Sequence, residues 1–61
     1  MKTKKGIYVY KANTGATAYY VYSDDTVIEY WNERTNIHKA TISLKKTLEK
    51  SSTFILPEEF I

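Results

Sequence analysis

The chain lacks cysteine altogether and contains one histidine, one proline and two glycines among its 61 residues. Without cysteine there are no disulfide bonds and no thiolate zinc sites. Because Gly6 and Gly15 are the chain's only glycines, no glycine-rich phosphate loop is expected. No apolar run approaches the roughly 18 residues that span a bilayer, and none follows the N-terminal lysines as it does in a signal peptide. We therefore expect one soluble, cytoplasmic domain over residues 1–61, without a cofactor and without membrane contact.

Small size makes a partner chain the remaining source of extra stability. A domain of this length buries only about 60% of the surface of its unfolded chain. Such domains usually need a disulfide, a metal ion or a second subunit. Because cysteine is absent and histidine occurs only once, the sequence predicts that the chain associates with itself, and we expect a homodimer.

Aromatic residues are concentrated in one segment, since seven of the nine lie between Tyr8 and Trp31. Read with the two-residue period of a β-strand, this segment has two different apolar faces. The aliphatic face carries Ile7, Val9, Tyr19, Val21, Ile28 and Tyr30. The aromatic face carries Tyr8, Tyr10, Tyr20, Tyr22 and Trp31. Because a sheet needs only one apolar face to fold against a helix, we expect the aliphatic face to form the core and the aromatic face to bind a partner.

Three strands are predicted at about residues 6–11, 17–23 and 26–31, where Ile, Val and Tyr are dense. Turn residues separate them at positions 13–15 and 24–25. Hydrophobic sorting favours the register that pairs Val9 with Tyr19 and Val21 with Ile28. The three strands then form an antiparallel meander.

A helix is predicted in the second half of the chain. Apolar and small residues recur there at helical spacing, namely Ile37, Ala40, Thr41, Leu44 and Leu48. The predicted helix begins after a cap at Thr35 or Asn36 and ends at Lys50. A rival interpretation makes residues 37–42 a fourth strand, followed by a shorter helix from Ser43.

These elements predict an α+β fold, a three-stranded antiparallel β-meander packed on one amphipathic helix with a short C-terminal extended segment at residues 53–56. The expected core consists of Ile7, Val9, Val21, Ile28, Leu44 and Leu48. The tail that follows Pro57 resembles the first turn of a helix, because proline and acidic residues favour that position.

Few residues are suited to catalysis or metal binding. His38 would have Arg34 and Ile42 as its neighbours four residues away on a helix, so no carboxylate orients it as a general base. Asp24 and Asp25 point apart in a tight turn, whereas Ca²⁺ requires six to eight oxygen ligands. We therefore expect a protein that is not an enzyme and has no metal site.

A protein-binding role fits these features best. Tyr and Trp often anchor protein interfaces, and the aromatic face supplies five of them. We expect a non-catalytic protein-binding module, a small inhibitor or adaptor that acts by occupying the surface of a partner protein. Compact chains of this kind are common among the accessory proteins of phages and mobile elements.

Two alternatives remain. A nucleic-acid-binding domain would stack bases on the aromatic face and contact phosphates with lysines such as Lys39, Lys46 and Lys50. Glu29 lies on that face and repels phosphates, which weighs against this alternative. A binder of a small nucleotide-like ligand would need a dimer interface, because one such domain has little room for a pocket of about 300 Å³.

Overall fold

The computed structural model describes residues 3–61, which fold into a five-stranded antiparallel sheet, one α-helix and a C-terminal 3-10 helix. The strands are β1 (Gly6–Lys11), β2 (Thr17–Ser23), β3 (Thr26–Trp31), β4 (Arg34–Lys39) and β5 (Thr53–Pro57). Helix α1 (Ile42–Ser51) lies between β4 and β5, and the 3-10 helix covers Glu58–Phe60. The order of strands across the sheet is β4-β3-β2-β1-β5.

The bounds and the register of the first three strands are those predicted from the sequence. Val9 lies opposite Tyr19, and Val21 lies opposite both Ile7 on β1 and Ile28 on β3. Runs of strand-forming residues are separated by turn residues in this segment, so local sequence signals were sufficient to locate the three strands.

The three-stranded meander was nevertheless wrong, because two further strands extend the sheet at both edges. On one edge, β4 occupies residues that we assigned to the start of the helix. Asn32 and Glu33 connect it to β3 with φ angles of 49° and 66°. A two-residue turn with both central residues left-handed matches the twist of antiparallel strands. The rival interpretation, with a strand in this region and a shorter helix, was nearer to the structure.

The helix begins later than predicted, at Ile42, and its N-cap is Thr41 instead of Thr35 or Asn36. The Thr41 hydroxyl oxygen accepts a hydrogen bond from the backbone N–H of Leu44 at 3.1 Å. This bond satisfies one of the backbone donors that a helix start leaves free.

On the other edge, the predicted extended segment forms β5 and pairs with β1. Leu56 lies opposite Ile7 and Phe54 lies opposite Tyr8, so Ile55 is an extra residue at a β-bulge. The backbone N–H of Glu58 then donates to the carbonyl oxygen of Lys5 at 2.9 Å. This bond fixes the 3-10 helix beside the start of β1.

The core forms on the face opposite to the one predicted. Tyr8 and Tyr22 are only 3% and 6% exposed, and they pack with Val27 and Leu48. Tyr20, Ala40, Leu44 and Phe54 pack around this cluster. Helix α1 therefore covers the aromatic face. Our placement of Ile7, Val9, Val21 and Ile28 in the core was wrong, whereas Leu48 is buried and Leu44 packs against the core, as predicted.

The short helix explains why the aromatic residues are inside. Helix α1 has ten residues and buries only Leu48 completely. A tyrosine ring buries about 150–250 Å², so rings from the sheet fill the space that a longer helix would fill with its own side chains. The polar end of Tyr8 is satisfied, since its hydroxyl donates to the carbonyl oxygen of Lys4. The Tyr8 and Phe54 rings meet edge to face, with centroids 5.1 Å apart.

Gly6 permits the close approach of β1 and β5. A Cβ atom at this position would lie 2.1 Å from the carbonyl oxygen of Leu56 and 2.8 Å from the Phe54 ring.

We expect Gly6→Ala to destabilise the fold by about 1–3 kcal/mol or more, as overpacking does. Gly15→Ala is the matched control, because Gly15 also has a positive φ but no atom lies within 4 Å of its added Cβ. Chemical denaturation measures both, and equal losses would contradict the steric explanation.

Candidate functional site

The face of the sheet opposite α1 carries ten uncharged side chains in two rows that cross all five strands. The first row consists of Leu56, Ile7, Val21, Ile28 and Ile37. The second row consists of Thr53, Val9, Tyr19, Tyr30 and Thr35. None of the ten is buried, and Ile37 is 73% exposed. We call this surface the open face.

The open face is large for a domain of this size. Neighbouring strands are about 4.8 Å apart and each residue advances about 3.3 Å, so five strands of about six residues cover roughly 500 Å² in projection. The largest apolar patch on a typical monomer is about 300–600 Å² and is often functional. Strand alternation places Lys11 at one end of this face and Lys39 at the other, so charge begins only at the ends of the strands.

The C-terminal 3-10 helix lies at one end of the open face. The Ser23 hydroxyl donates to the Glu58 carboxylate at 2.6 Å. Because Ser23 is two residues after Val21, it shares the open face with it. Phe60 and Ile61 follow and are largely exposed. A carboxylate therefore lies at this end of the open face, ahead of the exposed apolar C-terminal residues.

The aromatic residues predicted to bind a partner are divided by the helix. Tyr8 and Tyr22 lie in the core and have almost no surface to offer a partner. Tyr10, Tyr20 and Trp31 are partly exposed. These three remain candidates for binding.

Tyr10, Tyr20 and Trp31 share a shallow cavity of about 150 Å³ with Glu29. We call it the aromatic cavity. Tyr20 and Glu29 are direct neighbours on β2 and β3, and the Tyr20 hydroxyl donates to Glu29 Oε2 at 3.3 Å. His38 Nε2 lies 3.0 Å from Glu29 Oε1, which is an ion pair when the imidazole is protonated. The carboxylate is therefore held from two sides.

His38 and its contact with Glu29 were missed from the sequence, because we placed His38 on a helix. On β4 it lies opposite Val27, next to the position of Glu29 on the same sheet face. The only apolar residue of β4 is Ile37, so no alternation of apolar and polar residues marks a strand there.

The surroundings of Tyr20 raise its pKa above the usual value. Burial makes the largest contribution, followed by the negative charge of Glu29 and then the hydrogen bond to it. Burial likewise raises the pKa of Tyr8, with smaller effects from the charges of Glu49 and Tyr22. Both hydroxyls are therefore protonated at neutral pH and act as donors.

The predicted phosphate contacts do not lie together. Lys46 and Lys50 line a broad groove with Lys5 and Lys45, on the side of α1 near Tyr22. The aromatic cavity adjoins a second cavity on the other side of the helix, where Tyr10 and Tyr20 face Leu44 and Leu48. Lys39 is on β4, apart from both. The lysine groove and the aromatic cavity are therefore separated by the helix.

Comparisons with known proteins identify no relative: no family model, no curated protein and no solved structure matches this chain. Within residues 3–61, no group of three or more His, Asp or Glu side chains is placed to hold a metal ion. The same range contains no helix with the length and hydrophobicity of a membrane span.

Glu29→Gln should lower the pKa of Tyr20 because it removes a negative charge beside the hydroxyl. The pKa should stay above the usual tyrosine value, since burial is the largest cause of the shift. Glu33→Gln is the control, because this acid lies in the exposed β3–β4 turn. A pH titration of the tyrosine ring carbons by NMR measures the effect. The same Tyr20 pKa in both variants would contradict the contact between Tyr20 and Glu29.

Proposed function

We propose that this protein is a non-catalytic protein-binding module, a small adaptor or inhibitor that works as a homodimer. The observation that supports this proposal is the open face, with two uncharged rows of side chains across the whole sheet. A second copy of the chain is the partner that we assign to this face. Small size and scarcity of catalytic residues support our expectation of a cytoplasmic accessory protein of phage or mobile-element type.

The dimensions of the open face suit self-association. Two copies placed face to face would bury about 1,000 Å² in projection, which is the lower limit for a specific protein interface. Sheets pack in this way about 10 Å apart, with their inner side chains interdigitated. A two-fold axis through the face would place the same apolar rows on both sides. The dimer would have two sheets inside and one helix on each outer surface.

Stability supplies the second argument for a dimer. In the monomer the helix covers only one face of the sheet, although the other face is equally apolar. A domain of about 60 residues buries a small share of its surface and gains much from additional burial. Covering the open face removes apolar area from water. This burial stabilises the dimer by about 25 cal/mol per Å², from which the free-energy costs of association are subtracted.

Sedimentation should therefore show twice the mass of the single chain at micromolar concentration. Tyr19→Lys and Ile37→Lys should each yield a folded monomer, because every dimer would contain the buried lysine twice. Ile42→Lys is the matched control for Ile37→Lys. The two isoleucines are 71% and 73% exposed, but Ile42 is on the helix.

Three results would contradict the dimer. The first is a wild-type chain that remains a monomer at high micromolar concentration. The second is dissociation of the dimer by Ile42→Lys to the same extent as by Ile37→Lys. The third is an unchanged mass in both Tyr19→Lys and Ile37→Lys. Circular dichroism of each variant separates loss of association from loss of folding.

The lysine groove supports nucleic-acid binding as a second candidate function. Lys5, Lys45, Lys46 and Lys50 lie around it, with Glu49 as the opposing charge. The aromatic rings available for stacking are on the far side of α1. Phosphate contacts and stacking would therefore not act on the same stretch of a strand.

We accordingly expect only weak, non-specific binding to single- or double-stranded oligonucleotides, no tighter than about 10⁻⁵ M at physiological salt. Fluorescence anisotropy at several salt concentrations measures it. Affinity should fall steeply with salt and decrease in Lys46→Ala, but not in Tyr20→Phe. Sub-micromolar binding that requires Tyr20 or Trp31 would instead favour the nucleic-acid function.

A further inference from the structure

The walls of the aromatic cavity have an unusual combination of groups, three aromatic rings and one carboxylate. Aromatic ring faces carry partial negative charge and attract cations. We propose that the aromatic cavity binds an alkylated ammonium cation, either a methylated lysine side chain of a partner or a free quaternary ammonium compound. The cavity is on the helix side of the sheet, so this inference is independent of the dimer through the open face.

The strand positions set the walls at a suitable distance. Tyr10 is on β1 and Trp31 is on β3, two strand spacings or about 9.6 Å apart. Ala18 on β2 lies opposite Tyr10 and has no side chain long enough to separate the two rings. A small group can therefore enter between the two side chains, above Ala18, where both rings line the cavity.

Tyr20 and Glu29 form the remaining walls. The side chain of Glu29 is only 24% exposed, so its charge is partly screened from water by the protein. Its contacts with Tyr20 and His38 hold the carboxylate at the cavity. Because the attraction between opposite charges is stronger away from bulk water, a cation that replaces water in the cavity gains from both the rings and the carboxylate.

The composition of the walls favours an alkylated cation over a bare ammonium group. A bare ammonium group is strongly hydrated and needs several acceptors to replace its water. The cavity offers one carboxylate and mainly ring surface, which suits methyl groups that carry spread positive charge. Its volume of about 150 Å³ leaves room for a group of this size.

Arg34 on β4 lies opposite Trp31 and is therefore the cation of this strand placed nearest to the indole along the sheet. In the part of the chain that the structure describes, the cation–π contact found is Lys4 over Phe54 at 5.6 Å, and Arg34 does not stack on the indole. The Trp31 ring therefore keeps a face for an external cation.

Trp31 is the only tryptophan of the chain, so its fluorescence reports on the cavity directly. The probes are choline, a peptide that contains trimethyllysine, and 3,3-dimethylbutan-1-ol, which is a neutral compound with the shape of choline. We expect saturable changes with at least one of the two cations and at least about tenfold weaker binding of the neutral compound. Tighter binding of the peptide would identify a protein side chain as the ligand, and binding of choline alone would identify a free small molecule.

Variants locate the binding. Glu29→Gln and Tyr10→Leu should each weaken cation binding by about tenfold. Tyr30→Leu is the matched control, because Tyr30 is next to Trp31 in sequence but lies on the open face. Glu29→Gln keeps the size of the side chain, so it tests the charge even if Tyr10→Leu unfolds the domain.

Equal affinity for choline and its neutral analogue would overturn the proposal, as would equal effects of Glu29→Gln and Tyr30→Leu, or no binding of either cation. The dimer is tested separately, since Tyr19→Lys should remove dimerisation and leave cation binding intact. A failure of one proposal is thereby distinguished from a failure of the other.

Discussion

The structure depends on one constraint, namely that a single ten-residue helix must cover a five-stranded sheet. One helix about 15 Å long covers part of one face only. The face with the larger side chains is the one it covers, because Tyr8 and Tyr22 fill the space around Leu48. The aliphatic face is then left to solvent, and Tyr10, Tyr20 and Trp31 stay partly exposed on the face that the helix covers. Both candidate surfaces follow from this incomplete coverage.

The two surfaces lie on opposite faces of the sheet, and this arrangement gives them compatible roles. A dimer through the open face would leave the aromatic cavity of each copy on the outside. Two outward sites on one particle bind a partner with paired cations more tightly than one site does, without any new contact. The proposed self-association through one face and recognition through the other would therefore be compatible within so small a chain.

Local signals in the sequence were enough for β1, β2 and β3, because dense strand formers end at clear turn residues. They were not enough to choose the buried face. Alternation of apolar and polar residues along a strand identifies the core side when one face of the sheet is polar. Here both faces of the sheet are apolar. The choice depended on how the helix packs, which is a tertiary effect.

β4 was missed for a different reason: Ile37 is its only apolar residue, and Asn32-Glu33 lacks the glycine that usually marks such a turn. For the candidate site, Tyr10, Tyr20 and Trp31 were identified from the sequence, whereas the contact between Glu29 and His38 required β4 to be in place.

The edges of the sheet explain why association should use a face. An edge strand with free backbone groups invites pairing with another chain, and charged residues or irregularities oppose it. β4 exposes all six of its residues, among them Arg34 and Lys39. β5 has a bulge at Ile55 and ends at Pro57, which has no N–H to donate. Lengthening the sheet through either edge would bring charges together or leave hydrogen bonds unmade. The open face has neither obstacle, because its two central rows are uncharged and belong to strands already paired within the sheet.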